Sequence, residues 1–231
     1  MFLFKRFSIL LIMAAVLVSF MPAQTGRQMT PEESYLMETM EVMIITQTAR
    51  MSTRDQKLLA LDYIGDALNR GSTNDQIRET LEYLANEGTR RNQARENGRL
   101  VNNFPDVRRQ AARYLGQIGS EEARLSLISL IQVENEPMVV QEAIKSLGDI
   151  GVNVNNDSVT AIVWVMSRFD NLNPDNMMAL ATIDAFEKIA RRNSGLNSTD
   201  AINLLLRIST GLYMSPVKER ARQLLAELRS F

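Results

Sequence analysis

FPDVRRQAARYLGQIGSEEARLSLISLI, running from Phe104 to Ile131, is the stretch whose reading decides the fold. Taken as a helix from Val107, it places Val107, Ala111, Tyr114, Leu115 and Ile118 on one stripe, at the i, i+4, i+7, i+8, i+11 spacing of an amphipathic helix. Arg109 and Arg113 fall on the opposite face. Gly119 is placed to end the helix, and Ser120 with Glu121 and Glu122 opens a second one as N-cap and favourable first-turn charge. A hairpin that buries one stripe per helix cannot close a core alone, so copies of it are expected elsewhere in the chain.

Copies are present. PMVVQEAIKSLGDIG from Pro137 lies over PDVRRQAARYLGQIG from Pro105, matching Val139 to Val107, Ala143 to Ala111, Leu147 to Leu115, Gly148 to Gly116 and Gly151 to Gly119. DQKLLALDYIGDAL from Asp55 repeats Ala60, Tyr63, Ile64 and Gly65, and VKERARQLLAEL from Val217 repeats Val217, Ala221, Leu225 and Leu228. A weaker copy is MMALATIDAFEKIA from Met177. Glycine inside a helix costs about 1 kcal/mol against alanine. Its recurrence at Gly65, Gly116 and Gly148 therefore predicts close approach of a neighbouring helix.

The pattern P-D-V-R-x-x-A-A-x-x-L-G-x-I-G followed by a second helix resembles a HEAT-like repeat, the short variety also seen in bilin lyases of phycobiliproteins. The resemblance covers most of Asp55 to Leu228. It implies an all-α fold, an α-solenoid of about four helical hairpins with an extra N-terminal capping helix, used mainly as a binding surface.

The N-terminal segment MFLFKRFSILLIMAAVLVSFMPAQ is of another kind, with Lys5 and Arg6 ahead of an apolar run from Phe7 to Met21 and small residues at Pro22 and Ala23. Residues 1–23 read as a signal peptide or an uncleaved N-terminal anchor, and residues 24–231 as the repeat domain. The expected location is the periplasm or cell envelope, with membrane contact only through residues 1–23 if they are retained. Without Lys5 and Arg6 the 26 basic residues fall to 24, against 27 acidic, a net charge of −3. That balance gives no polyanion footprint and makes nucleic acid an unexpected partner.

The chain has no histidine and no cysteine. That composition removes His-based triads, thiol nucleophiles, disulfides and the common zinc and non-haem iron ligand sets. The adjacent acids Glu32 with Glu33, and Glu121 with Glu122, read as first-turn residues, with Thr30 as N-cap and Pro31 as the first helical position of the former. Asn197-Ser198-Thr199 is formally a glycosylation sequon and reads more simply as the cap of a helix beginning near Asp200. Met37, Met40 and Met43 have the three-residue spacing of a thioether cluster suited to Cu(I). With Leu36, Ile44 and Ile45 interleaved, packing of a capping helix is the favoured reading. No catalytic, cofactor-binding or metal-binding residue is expected.

The connection EGTRRNQARENGRLVNNF, Glu87 to Phe104, is far longer than the roughly two to eight residues usual between packed helices. Between Arg90 and Arg113 the chain holds seven arginines against Glu96 and Asp106, a local excess of five. One reading is a solvated loop and the polar face of a helix. The other is a docking patch for an acidic protein surface, an anionic glycan or a lipid headgroup, formed by Arg90, Arg91, Arg95, Arg99, Arg109 and Arg113, since the planar guanidinium suits carboxylates and phosphates; a protein partner with an acidic surface is the favoured reading. The function expected from all this is a non-enzymatic protein–protein interaction module or scaffold. The alternative is an accessory lyase or chaperone-like factor acting on a bound client or cofactor.

Overall fold

The computed structural model describes residues 30–170 and 174–229, so the expected signal or anchor of residues 1–23 lies outside the described residues. Ten α-helices occur among them. They are α1 (Pro31–Ala49), α2 (Arg54–Asn69), α3 (Asp75–Asn86), α4 (Pro105–Ile118), α5 (Glu121–Val133), α6 (Pro137–Ile150), α7 (Asp157–Asp170), α8 (Asn176–Asn193), α9 (Thr199–Thr210) and α10 (Ser215–Glu227). A two-stranded antiparallel sheet, β1 (Arg95–Glu96) with β2 (Arg99–Leu100), lies between α3 and α4. No described helix is long and apolar enough to cross a membrane.

The first turns of α1, through Met40, belong to one compact unit, and the chain from Glu41 onward to another. In the first, Thr30 caps the helix as expected, and Glu33 reaches back to make the cap reciprocal. The Thr30 amide donates to Glu33 Oε2 at 3.0 Å, and the Glu33 amide donates to Thr30 Oγ1 at 3.2 Å. In the second unit α2, α4, α6, α8 and α10 pack in succession as one layer, while α3, α5, α7 and α9 pack in succession as the other. In chain order the two layers alternate as four helical hairpins, α2–α3, α4–α5, α6–α7 and α8–α9; between hairpins α3 packs on α4 and α5 on α6, and α10 rests on α8 and α9.

The apolar stripes supply the core between the layers. Val107, Ala111 and Leu115 of α4, and Val139, Ala143 and Leu147 of α6, are fully buried. The weaker copy in α8 fills equivalent positions with Met178, Thr182 and Phe186, also buried. Gly119 and Gly151 end α4 and α6 in the left-handed region at φ 69° and 68°, where glycine has no Cβ penalty. Ser120 caps α5 and Ser198 caps α9, each accepting from an amide three residues on.

The recurrent glycines stand where one first-layer helix crosses the next. A Cβ on Gly116 would lie 2.6 Å from Ser146 Cβ on α6, one on Gly148 2.6 Å from Ala185 Cα on α8, and one on Gly65 2.5 Å from the Tyr114 hydroxyl on α4. Each glycine thus faces the residue two before its own counterpart in the next repeat. In α8 the residue two after Ala185 is Glu187, so the glycine series ends there, and Glu187 instead pairs with Arg220 of α10.

The capping helix corrects one expectation. Met37, Met40 and Met43 are more than half exposed, whereas Val42, Ile45 and Ala49 are buried. The methionines lie across the helix from the buried stripe, so α1 has two apolar faces, and spacing alone points equally to either.

Candidate functional site

The long connection after α3 is a built element. Gly88, at φ 73°, lets its amide donate to the Asn92 carbonyl at 2.7 Å, and a Cβ there would stand 2.4 Å from the Asn102 carbonyl oxygen. The buried Asn102 side chain spans the base of the loop: Oδ1 accepts from the Ala94 amide at 2.9 Å, and Nδ2 donates to the Asn92 carbonyl at 3.0 Å. Beyond that clamp β1 and β2 pair Arg95 with Leu100 and Glu96 with Arg99. They are joined by Asn97 and Gly98 at φ 49° and 81°, the two positive-φ residues that a tight hairpin turn requires.

The clamp makes a local prediction. Asn102→Ala leaves the Ala94 amide without its acceptor and the Asn92 carbonyl with the Gly88 amide alone, a loss of about 1–3 kcal/mol confined to the loop. Limited proteolysis should cut between residues 90 and 100 faster than in the parent, with the helical circular dichroism unchanged. Equal cleavage rates would mean that the clamp does not order the loop.

The hairpin carries the expected arginines outward. Arg90, Arg91, Arg95 and Arg99 are exposed. Arg95 donates to the Gly98 carbonyl at 3.0 Å and to Gln93 Oε1 at 3.2 Å, and none of the four is ion-paired among the described residues. Arg109 and Arg113 sit one turn apart on α4 instead. Arg109 is half-buried and has no ion pair among the described residues, while Arg113 forks onto Glu142 of α6 at 2.8 and 3.3 Å. Those bonds hold its guanidinium above the ordinary arginine range against partial desolvation.

Arg108, the remaining member of the basic run, is withdrawn from the surface. It is 2% exposed and forks onto buried Glu134, Nε to Oε2 at 2.6 Å and Nη2 to Oε1 at 3.2 Å. Its Nη1 donates to the Glu87 carbonyl at 3.1 Å and to Asn103 Oδ1 at 2.9 Å. The same device occurs one repeat earlier. Buried Lys57 stands 2.6 Å from Glu87 Oε2 and donates to the Ala49 carbonyl at 2.9 Å.

The two cations are repeat equivalents, each eight residues before its helix glycine, Gly65 or Gly116. Each reaches a carboxylate at the end of its own hairpin and a carbonyl at the end of an earlier helix, Ala49 of α1 for Lys57 and Glu87 just after α3 for Arg108. Val140 takes the position in α6 and is fully buried. There Arg168 of α7 takes over the carbonyl contact, donating to Glu134 O. A further buried cation, Arg124, binds Glu121, Asp157 at 2.6 and 2.9 Å, and Ser158 Oγ at 2.9 Å. These bonds, that to Glu121 foremost, raise its pKa despite burial.

Sequence reasoning left out Trp164, the sole tryptophan, which is 47% exposed on α7. The Arg168 guanidinium carbon lies 5.0 Å from the centre of its ring system and 4.9 Å from that of Phe169. Arg90 acts on Arg168 as a like charge, which ties the base of the hairpin electrostatically to this part of the second layer. Trp164 and Arg168, one turn apart, are the signal that could have pointed to the place.

Two layers of parallel-stacked helices, made of hairpins related by repeat, define a helical-repeat solenoid. Residues 98–168 match the family of HEAT repeats. The complex of CpcE and CpcF of phycocyanin lyase from Nostoc sp. PCC7120 is similar, with a TM-score of 0.55 and 19% identity over 92% of this chain and 70% of that one. A de novo designed 16-helix transmembrane nanopore overlaps at a TM-score of only 0.19 and 15% identity, over 85% of this chain and 62% of that one. No curated protein sequence matches. Residues 98–168 thus carry HEAT repeats, and the fold around them is that of a HEAT-like α-solenoid.

Proposed function

We propose that this protein is a non-enzymatic protein-interaction module or scaffold of the cell envelope, exported by residues 1–23. Its hairpin docks an acidic surface on a protein partner through Arg90, Arg91, Arg95 and Arg99, with Arg109 extending the patch and Arg113 contributing less because Glu142 already holds it. The observation that carries this reading is the contrast among arginines. Arg54, Arg108, Arg113 and Arg124 are ion-paired within the stack, whereas the four on the hairpin are exposed and unpaired among the described residues. HEAT-like stacks offer extended surfaces of the kind that hold partner proteins.

The test is capture of a partner from an envelope fraction by the parent and by the triple variant Arg90→Glu, Arg91→Glu, Arg95→Glu. Capture should be lost in the variant while the helical signal is kept, because exposed loop charges contribute little to folding. Parent binding should weaken as salt screens charges beyond about 8 Å at physiological ionic strength. Capture that survives both treatments would dismiss the patch. A second reading, an accessory lyase or chaperone-like factor, draws on the likeness to the phycocyanin lyase complex; a chromophore co-purifying with the protein in place of a stoichiometric partner would favour it.

A further inference from the structure

A groove of about 670 Å³ runs between α5 and α7, lined by Ile128, Gln132, Asn155, Thr160, Ala161 and Trp164. That volume falls within the roughly 300–1,000 Å³ usual for binding sites. Its apolar part is Ile128, Ala161 and the half-exposed Trp164 ring; Gln132, Asn155 and Thr160 supply amide and hydroxyl groups able to bond a peptide main chain. At one end stands Asp157, already bound by Arg124 at 2.6 Å.

The opposite end is unbalanced. Arg168 lies half-buried one turn beyond Trp164 and donates to the carbonyls of Glu134 and Gln132, the latter a groove residue. No carboxylate pairs with it among the described residues, since the Glu134 carboxylate is engaged by Arg108. Burial and the like charge of Arg90 push the Arg168 pKa down, with Glu134 opposing them. A desolvated cation lacking an anion is costly, and an incoming carboxylate relieves that cost.

We infer that this groove seats an acidic peptide segment, with an apolar side chain against Trp164, Ile128 and Ala161 and an adjacent carboxylate on Arg168. The inference rests on the interaction-module reading and names the chemistry of the segment that such a partner presents. A small inorganic anion would satisfy Arg168 but leave the Trp164 ring and Ile128 uncovered. An acyl chain would cover the apolar part while stranding the polar groups of Gln132, Asn155 and Thr160. A peptide with an apolar residue flanked by acids answers all three features.

Trp164 emission reports the groove without added labels. The full chain is titrated with a blocked pentapeptide of central leucine flanked by glutamates, with its central-alanine and lysine-flanked counterparts, and with inorganic phosphate. The glutamate–leucine peptide should give a saturable shift. Affinity should fall about tenfold in Arg168→Gln, as for loss of a charge-assisted hydrogen bond, and about tenfold with the alanine peptide. Thr160→Tyr, an exposed rim substitution that leaves the Arg168 contacts in place, should block the shift with the helical signal intact.

No saturable shift, an equal response to the lysine peptide, or a phosphate response of the same size would overturn the groove assignment. The envelope capture assay separates this failure from that of the module. If Arg168→Gln and Thr160→Tyr retain capture that the triple hairpin variant loses, the groove is dismissed and the module stands. If the triple variant retains capture, the module's docking patch fails, and the peptide titration still decides the groove by itself.

Discussion

Arg108→Ala should destabilise the protein by about 3–5 kcal/mol, the usual consequence of stripping one partner from a buried ion pair. Arg109→Ala, at the next position, should stay within about 0.5 kcal/mol of the parent. The two arginines differ in what they leave behind. Removing Arg108 strands a Glu134 carboxylate that is 3% exposed, together with the Glu87 carbonyl that Nη1 satisfies. Glu134 would keep only the amides of Asn135 and Glu136 on Oε1. Removing Arg109 breaks no hydrogen bond among the described residues. Urea unfolding of the two variants gives the comparison, and an Arg108→Ala loss below about 1 kcal/mol would show that the pair is solvated in solution. The double variant Arg108→Met with Glu134→Leu should regain only part of the loss, because an apolar pair avoids the desolvation of both charges while the Glu87 carbonyl and the Asn135 and Glu136 amides still lose these partners.

The second large effect belongs to the glycines, and it should be graded. Gly148→Ala drives a methyl group against Ala185 Cα and Cβ, at 2.6 and 2.8 Å, so α6 and α8 must separate. Overpacking of this kind costs about 1–3 kcal/mol, more than offsetting the roughly 1 kcal/mol that alanine contributes to helix propensity. Gly116→Ala meets Ser146 at Cβ, Oγ and Cα and should behave alike. Gly65→Ala meets only the outer end of the Tyr114 ring, which can swing aside, so it should be near neutral or mildly stabilising. Thermal melts of the three variants rank them directly, and a Gly148→Ala variant as stable as the parent would remove the close-approach explanation for this glycine.

These two cases mark what could and could not be read in advance. Glycine at Gly65, Gly116 and Gly148 was informative because it is unfavourable in a helix, so its recurrence required a geometric cause. The stripes Val107–Ala111–Leu115 and Val139–Ala143–Leu147 were legible because burial at helical period leaves few other readings. Arg108 was not, since inside RR of the basic run it looks like Arg109. Only alignment within the repeat, Lys57 over Arg108 with Glu87 and Glu134 closing their hairpins, distinguishes it. The hairpin was missed for a different reason. Its Asn97-Gly98 turn is a strong signal, but the strands are Arg-Glu and Arg-Leu, without the alternating hydrophobic residues that normally flank such a turn. Of the candidate site, the exposure of four arginines was foreseen; the groove at Trp164 depends on which second-layer helices become neighbours, and no local pattern encodes that.

The chain of buried polar contacts from Lys57 through Glu87, Arg108 and Glu134 to Arg168 also bears on cooperativity. In a purely apolar stack each repeat is coupled only to its immediate neighbours, and an end can fray while the middle stays folded. Here a cation in one hairpin binds the terminal carbonyl of the hairpin or helix before it, so opening one repeat exposes a charge in its own core and an acceptor in its neighbour's. Opening within the segment from the end of α1 to α7 should therefore be more strongly coupled than in an apolar stack, and the hairpin with its arginines lies in the middle of that segment rather than at a fraying end.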